Sequence, residues 1–161
     1  MTAELERLVL LLSAHGWIIQ RSPAPLPLPE ELKLRYPWLS PEVEEFATHL
    51  GEACRGDEKL WLLTSLDFRG QSGYAFAWNE WERLSIESAQ DDAEWIANIR
   101  AFWDDHLPIA LSVDGGYEYY ALRSDHTIVC GREPEFEETA DFAHSFAEFL
   151  EKLVVLGARE E

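Results

Sequence analysis

The feature that most constrains this chain is Asp114-Gly115-Gly116, set between two apolar runs, Leu107 to Val113 and Tyr117 to Arg123. Asp-Gly between strand-like segments is a strong short-range hairpin signal, because the reversal needs residues that tolerate positive φ. Ser124-Asp125-His126 then turns the chain into Thr127 to Gly131, so three consecutive antiparallel strands are expected. Such a sheet must bury at least one face, and the rest of the chain has to supply the cover.

Several segments carry the helical period. From Thr2 to His15, Leu5, Leu8, Val9 and Leu12 recur at helical spacing, and Gly16 is a natural stop. Residues 1–20 therefore read as an N-terminal helical segment and 21–29 as a proline-rich connector, since the alternating prolines from Pro23 to Pro29 favour an extended path. Ser40-Pro41-Glu42 supplies an N-cap, a first-turn proline and an acid at the positive end of the dipole. Val43, Phe46, Ala47 and Leu50 then keep helical period up to Gly51. Asp91-Asp92 opens a further helix with Trp95, Ile96, Ile99, Phe102 and Trp103 as its apolar stripe, and Pro108 follows soon after its end. Thr139 is the expected N-cap of a closing helix that presents Phe142, Phe146, Phe149, Leu150 and Leu153 on one face. Lys59 to Phe68 reads as a strand, and Tyr74, Phe76 and Trp78, alternating with small residues, as another. The expected fold is a single α+β domain over residues 1–161, a mainly antiparallel meander with flanking helices.

Charge narrows the classes of partner. Thirteen Lys plus Arg stand against thirty-one Asp plus Glu, a net charge of -18. Such a surface repels phosphate backbones, so nucleic acid and anionic membranes are poor partners and a basic protein is a good one. Glu4 and Glu6 occupy the place of the basic region of a signal peptide, and no window approaches the roughly 20 apolar residues that span a bilayer. Cys54 and Cys130 form no Cys/His cluster, which suits a reducing compartment, so a cytoplasmic protein is expected.

No catalytic constellation is legible. His15, His49, His106, His126 and His144 are scattered, none at a metal-ligand spacing, and read as surface or helix-end residues. Asp104-Asp105-His106 reads as a polar helix terminus, because consecutive helical residues point in different directions. Serines lack a nucleophile elbow, and the glycines match neither a phosphate loop nor a dinucleotide fingerprint. No catalytic residue, cofactor or metal is therefore expected. Glu133, Glu135, Glu137 and Glu138 sit around Pro134 and Phe136 in what reads as a loop before the last helix. They suit a patch meeting Lys and Arg of a partner better than a calcium loop.

Aromatic residues are the other unusual feature. Tyr117, Tyr119 and Tyr120 on the hairpin, with Trp78 and Trp81 upstream, could form an aromatic patch rimmed by acids, as protein interfaces do, or could be core. Strand alternation puts Tyr117 and Tyr119 on one face and Tyr120 on the other. The candidate partner-binding residues are Tyr117, Tyr119, Tyr120, Trp78, Glu80, Glu133, Glu135 and Glu137. A pocket lined by Trp78, Glu80 and residues 133–138 is the alternative that a small ligand or an enzyme would need.

The succession Leu107-Pro-Ile-Ala110, Asp114-Gly-Gly-Tyr-Glu-Tyr-Tyr120, Ile128-Val-Cys-Gly131, Glu133-Pro-Glu-Phe-Glu-Glu138 and Ala143-His-Ser-Phe-Ala-Glu-Phe-Leu150 resembles the SUKH superfamily, which includes fungal cell-wall regulators of the Smi/Knr type and many bacterial proteins. Leu28-Pro29-Glu30-Glu31-Leu32 is similar to that family's early Leu-Pro helix start, although here a helical segment precedes it and the customary Asn-Gly is absent. The resemblance implies an α+β sheet core, no common catalytic residues and a role in binding other proteins. Many bacterial relatives look like immunity proteins, which bind and neutralise a cognate toxin, often a nuclease, and the acidic charge of this chain suits a basic one. A monomer or weak dimer is expected, and a regulatory or scaffold domain is the alternative.

Overall fold

The computed structural model describes residues 1–74 and 76–159. The chain runs α1 (Ala3–Ala14), β1 (Ile18–Arg21), α2 (Glu30–Arg35), α3 (Pro41–His49), β2 (Leu50–Cys54), β3 (Leu60–Leu62) and α4 (Ser65–Phe68). It continues through α5 (Glu80–Ala89), α6 (Ala93–Asp104), β4 (His106–Ser112), β5 (Glu118–Arg123), β6 (Ile128–Arg132), β7 (Glu135–Ala143) and α7 (Phe146–Arg159). The fold is α+β as expected: among the described residues, one antiparallel sheet whose seven strands lie in chain order, flanked by helices. Among the described residues no helix is long and apolar enough to cross a membrane.

Alternation along the strands gives the sheet two covered faces. Leu62, Ala110 and Tyr120 pair across β3, β4 and β5 and join a core with buried residues of α1, α2, α3 and α7. Their neighbours Trp61, Leu111 and Tyr119 point the other way, toward Trp81 and Ala89 of α5 and Ile99 and Trp103 of α6. The two cores differ in character. The first is large and aliphatic, with Phe46 and Phe146 meeting edge to face at 5.2 Å, whereas the second is small and dominated by aromatic rings. Arg35 ties the helical layers together: its guanidinium donates twice to the Glu82 carboxylate, at 3.0 and 2.7 Å, and once to Asp104 at 2.8 Å, so α2 is clamped to both α5 and α6.

The helix starts follow from their caps. Thr2, Ser40 and Asp92 accept from the backbone N–H three residues on, relieving donors that the first turn cannot satisfy. Gly16 follows α1 at φ +89, a conformation costly to a side chain, and the chain there departs toward β1. The N-terminal helix accordingly ends at Ala14 rather than 20, and Ile18–Arg21 pairs as the edge strand β1. The proline-rich stretch after it carries no helix or strand. In the central hairpin, Gly115 and Gly116 take φ +81 and +152, as the Asp-Gly-Gly signal requires. Pro108, which reads as a helix stop, lies inside β4 where the register shifts between Pro108 and Ala110, a position that tolerates a residue with no N–H.

Other expectations are corrected. The helix from Pro41 stops at His49, because Leu50 takes extended backbone and opens β2 instead of continuing to Gly51. The strand expected from Lys59 to Phe68 survives only as Leu60–Leu62. Beyond it, Thr64 and Asp67 exchange side-chain and backbone hydrogen bonds as a capping box, which turns Ser65–Phe68 into a helical turn. Tyr74, Phe76 and Trp78 form no strand; Ala75 between them lies outside the described residues. The Tyr74 and Phe76 rings stack at 5.7 Å and both meet Trp61, so this segment lies across the sheet rather than within it. Thr139 is not an N-cap: it sits in β7 opposite Gly131, and the closing helix starts at Phe146 with the Ser145 hydroxyl accepting from the N–H of Glu148 at 3.1 Å. Residues 135–138, expected in a loop, are likewise strand. His106 is buried, its ring stacked on Phe102 at 3.9 Å with Nδ1 against the Phe102 carbonyl at 2.7 Å, and burial lowers its pKa.

Candidate protein-binding surface

The eight residues singled out from sequence are dispersed by the fold. Tyr119 is fully buried, its ring 5.2 Å from Trp81 and 5.0 Å from Trp103, with its hydroxyl donating to the Phe136 carbonyl. Tyr120 is buried on the opposite face between Phe142 and Phe149, at 4.8 and 5.2 Å. The alternation is as expected, but both faces are core, so neither ring is available to a partner. Trp78 is also engaged, meeting Phe68 at 5.7 Å and Tyr36 at 6.3 Å.

Tyr117 is different. Its ring is partly buried, stacked on Trp81 at 5.6 Å and edge-on to Phe136 at 6.2 Å. Burial, and then the charges of Glu80 and Glu133, push its hydroxyl up to about 12. The fold thus brings Tyr117, Glu80 and Glu133 to one place: Glu80 opens α5 and is paired with Arg83 at 3.0 Å, and the N–H of Glu133 donates to the Tyr117 carbonyl at 3.0 Å. The expected pocket between Trp78, Glu80 and residues 133–138 is not assembled in this way, because Trp78 belongs to the opposite core.

The acids after Pro134 lie along β7, the edge of the sheet. Glu135 and Glu138 are exposed, and with Glu133 they make no ion pair among the described residues. Asp141 is exposed and meets Arg123 at 3.4 Å. Most of the basic residues are committed to internal pairs, Arg55 with Asp57 and Asp114, Arg35 with Glu82 and Asp104, and Arg7 with Glu4 and Glu151 among them. The surplus negative charge therefore stays unneutralised, and β7 carries a row of it. No three His, Cys, Asp or Glu side chains among the described residues are grouped to hold a metal ion.

Glu137 turns inward, half-buried, and accepts from the Ser85 hydroxyl at 2.8 Å. Burial raises its pKa, and the Ser85 hydrogen bond offsets part of that rise. The folded protein therefore holds this proton to higher pH than the unfolded chain does. Its contribution to stability is gained as pH falls and lost as pH rises through the raised value. Glu137→Gln, which keeps an acceptor but cannot ionise, is expected to match the parent near pH 4 and to become the more stable protein between pH 6 and 8, a range about which carboxylates of ordinary pKa are silent. Urea midpoints of the two proteins across that range measure the difference.

Sequence reasoning missed the edge strand itself and Asp141 as one of its acids. The available signal was the pair Phe136 and Phe142, one anchored in each core, which a strand with an irregular register can supply and one helical face cannot. Compared with known proteins, the chain matches no family model and no curated protein.

Proposed function

We propose that this chain is a SUKH-type domain that acts by binding another protein without turnover, as a cytoplasmic immunity protein that neutralises a basic toxin such as a nuclease. The observation that carries this reading is the electrostatic one. A net charge of -18 remains after most basic side chains have been used in internal pairs, so the field presented to solvent selects a cationic partner. Opposed fields speed encounter and penalise wrong partners, and they disfavour nucleic acid and anionic lipid. Tyr117, stacked on Trp81 between Glu80 and Glu133, offers an aromatic anchor beside the acids. The succession of strands and closing helix that resembles SUKH domains supports the same assignment.

The test is capture from native lysate with a tagged full-length chain, at low and then high salt, followed by co-expression. The expected result is one basic protein, held at low salt and weakened at high salt, whose toxicity is relieved when both are made together. A partner that is harmless when expressed alone would replace immunity by a regulatory or scaffold role.

A further inference from the structure

We propose that the partner engages this domain by adding an extended, lysine- or arginine-bearing strand to the free edge of β7 between Glu135 and Asp141, an inference that rests on the protein-binding reading above. Among the described residues β7, nine residues, is the longest strand of the sheet and pairs with β6 alone, in a register that shifts between Thr139 and Glu135 and again between Asp141 and Ala143. Its outer edge therefore presents backbone groups with no strand to satisfy them, which is the template that strand addition uses. Residues 138–141 are exposed in succession. The opposite edge, β1, has only four residues.

Charge decides the occupant. A second copy of this chain would set Glu135, Glu138 and Asp141 against the same acids, and like charges across paired strands are destabilising. A strand carrying Lys or Arg at those positions gains instead. Beyond Asp141 the edge is closed, because Lys152 Nζ donates to the Phe142 carbonyl at 2.6 Å. Just there, a hollow of about 390 Å³ opens between β7 and α7, lined by Phe142, Glu151, Lys152, Val155 and Leu156, with Val155 half-exposed. An apolar side chain at the end of the added strand fits that hollow, which fixes its register as well as its charge.

The probe is a nine-residue synthetic peptide alternating Lys and Val, titrated into the full-length protein at low salt, with two companions N-methylated on alternate residues. One set of methyl groups faces β7 and the other faces solvent. Binding is expected to slow amide exchange at edge-facing positions of residues 135–141 by about tenfold or more. Only one of the methylated peptides should keep its affinity, and Glu135→Gln with Glu138→Gln should weaken the parent peptide severalfold. Binding with no protection at 135–141, or equal binding of both methylated forms, would overturn strand addition while leaving the acidic surface as a binding site elsewhere. Absence of peptide binding would also overturn it, and the co-expression result above then judges the immunity reading separately.

Discussion

Replacing Trp103 with alanine is expected to cost about 4 kcal/mol of folding stability, in the range found when a large aromatic is truncated in a closed core. Trp103 is 1% exposed and belongs to the smaller of the two cores, where it meets the Tyr119 ring at 5.0 Å. On the far side of Tyr119 stands Trp81, which is fully buried, so the rings around the vacated space have no room behind them from which to relax inward. Incomplete relaxation is what makes such truncations costly. The comparison that isolates this cause is Trp95→Ala, on the same helix but half-exposed, where the loss should stay below about 1 kcal/mol. Guanidinium midpoints of the two variants test the claim, and similar losses from both would show that α6 is held by something other than its buried face.

The second large effect is expected from the smallest change. In Gly131→Ala the new methyl group would lie 2.6 Å from the Tyr119 hydroxyl oxygen and 2.7 and 2.8 Å from two ring carbons, inside any permitted contact. Gly131 stands directly across from Tyr119 in the β5–β6 ladder, and the ring lies over it to reach the Phe136 carbonyl. The ring has nowhere to go, with Trp81 and Trp103 at about equal distance. Overpacking of this kind costs about 1–3 kcal/mol, and the absence of an escape route places this case at the upper end. Tyr119→Phe does not relieve the clash, because the ring carbons remain. Tyr119→Leu removes the far end of the ring, so adding it to Gly131→Ala should cost less than it costs alone. Denaturation midpoints of the four proteins in that cycle give the coupling, and strict additivity would remove the ring as the cause.

Both effects bear on what was legible beforehand. The hairpin, the strand that follows it, the cap at Ser40 and the helix start at Asp91-Asp92 are visible because each is specified by residues within a few positions of one another. The errors have the opposite origin. Phe142 and Phe149 are spaced as one helical face would be, yet they meet at 5.9 Å from a strand and a helix, a coincidence that spacing cannot separate from a continuous helix. Tyr74 and Phe76 alternate like strand residues, but their partner is the face of Trp61 rather than a neighbouring ladder. For the candidate surface, the glutamates could be named in advance, while Asp141 and the arrangement of the acids could not. Glu135 and Glu138 point to solvent while Glu137 turns toward Ser85 of α5, a contact made by residues far apart in the chain. Tyr119 and Tyr120 read equally well as core or interface, and only the presence of helices on both faces of the sheet decides between those readings.

The strict chain order of the strands has a consequence for how the molecule comes into being. As the chain leaves the ribosome, each new strand from β2 onward meets a sheet neighbour already made, so the meander can grow without waiting for distant sequence. The first helix has no such advantage. Its apolar side, Leu5, Leu8 and Leu12, shares a core with Phe149, Leu150 and Leu153 of the last helix, and Arg7 reaches Glu151 across that junction. The helix α1 thus depends on α7, made more than 130 residues later, for part of its cover, and during synthesis its apolar side stays open until α7 has followed.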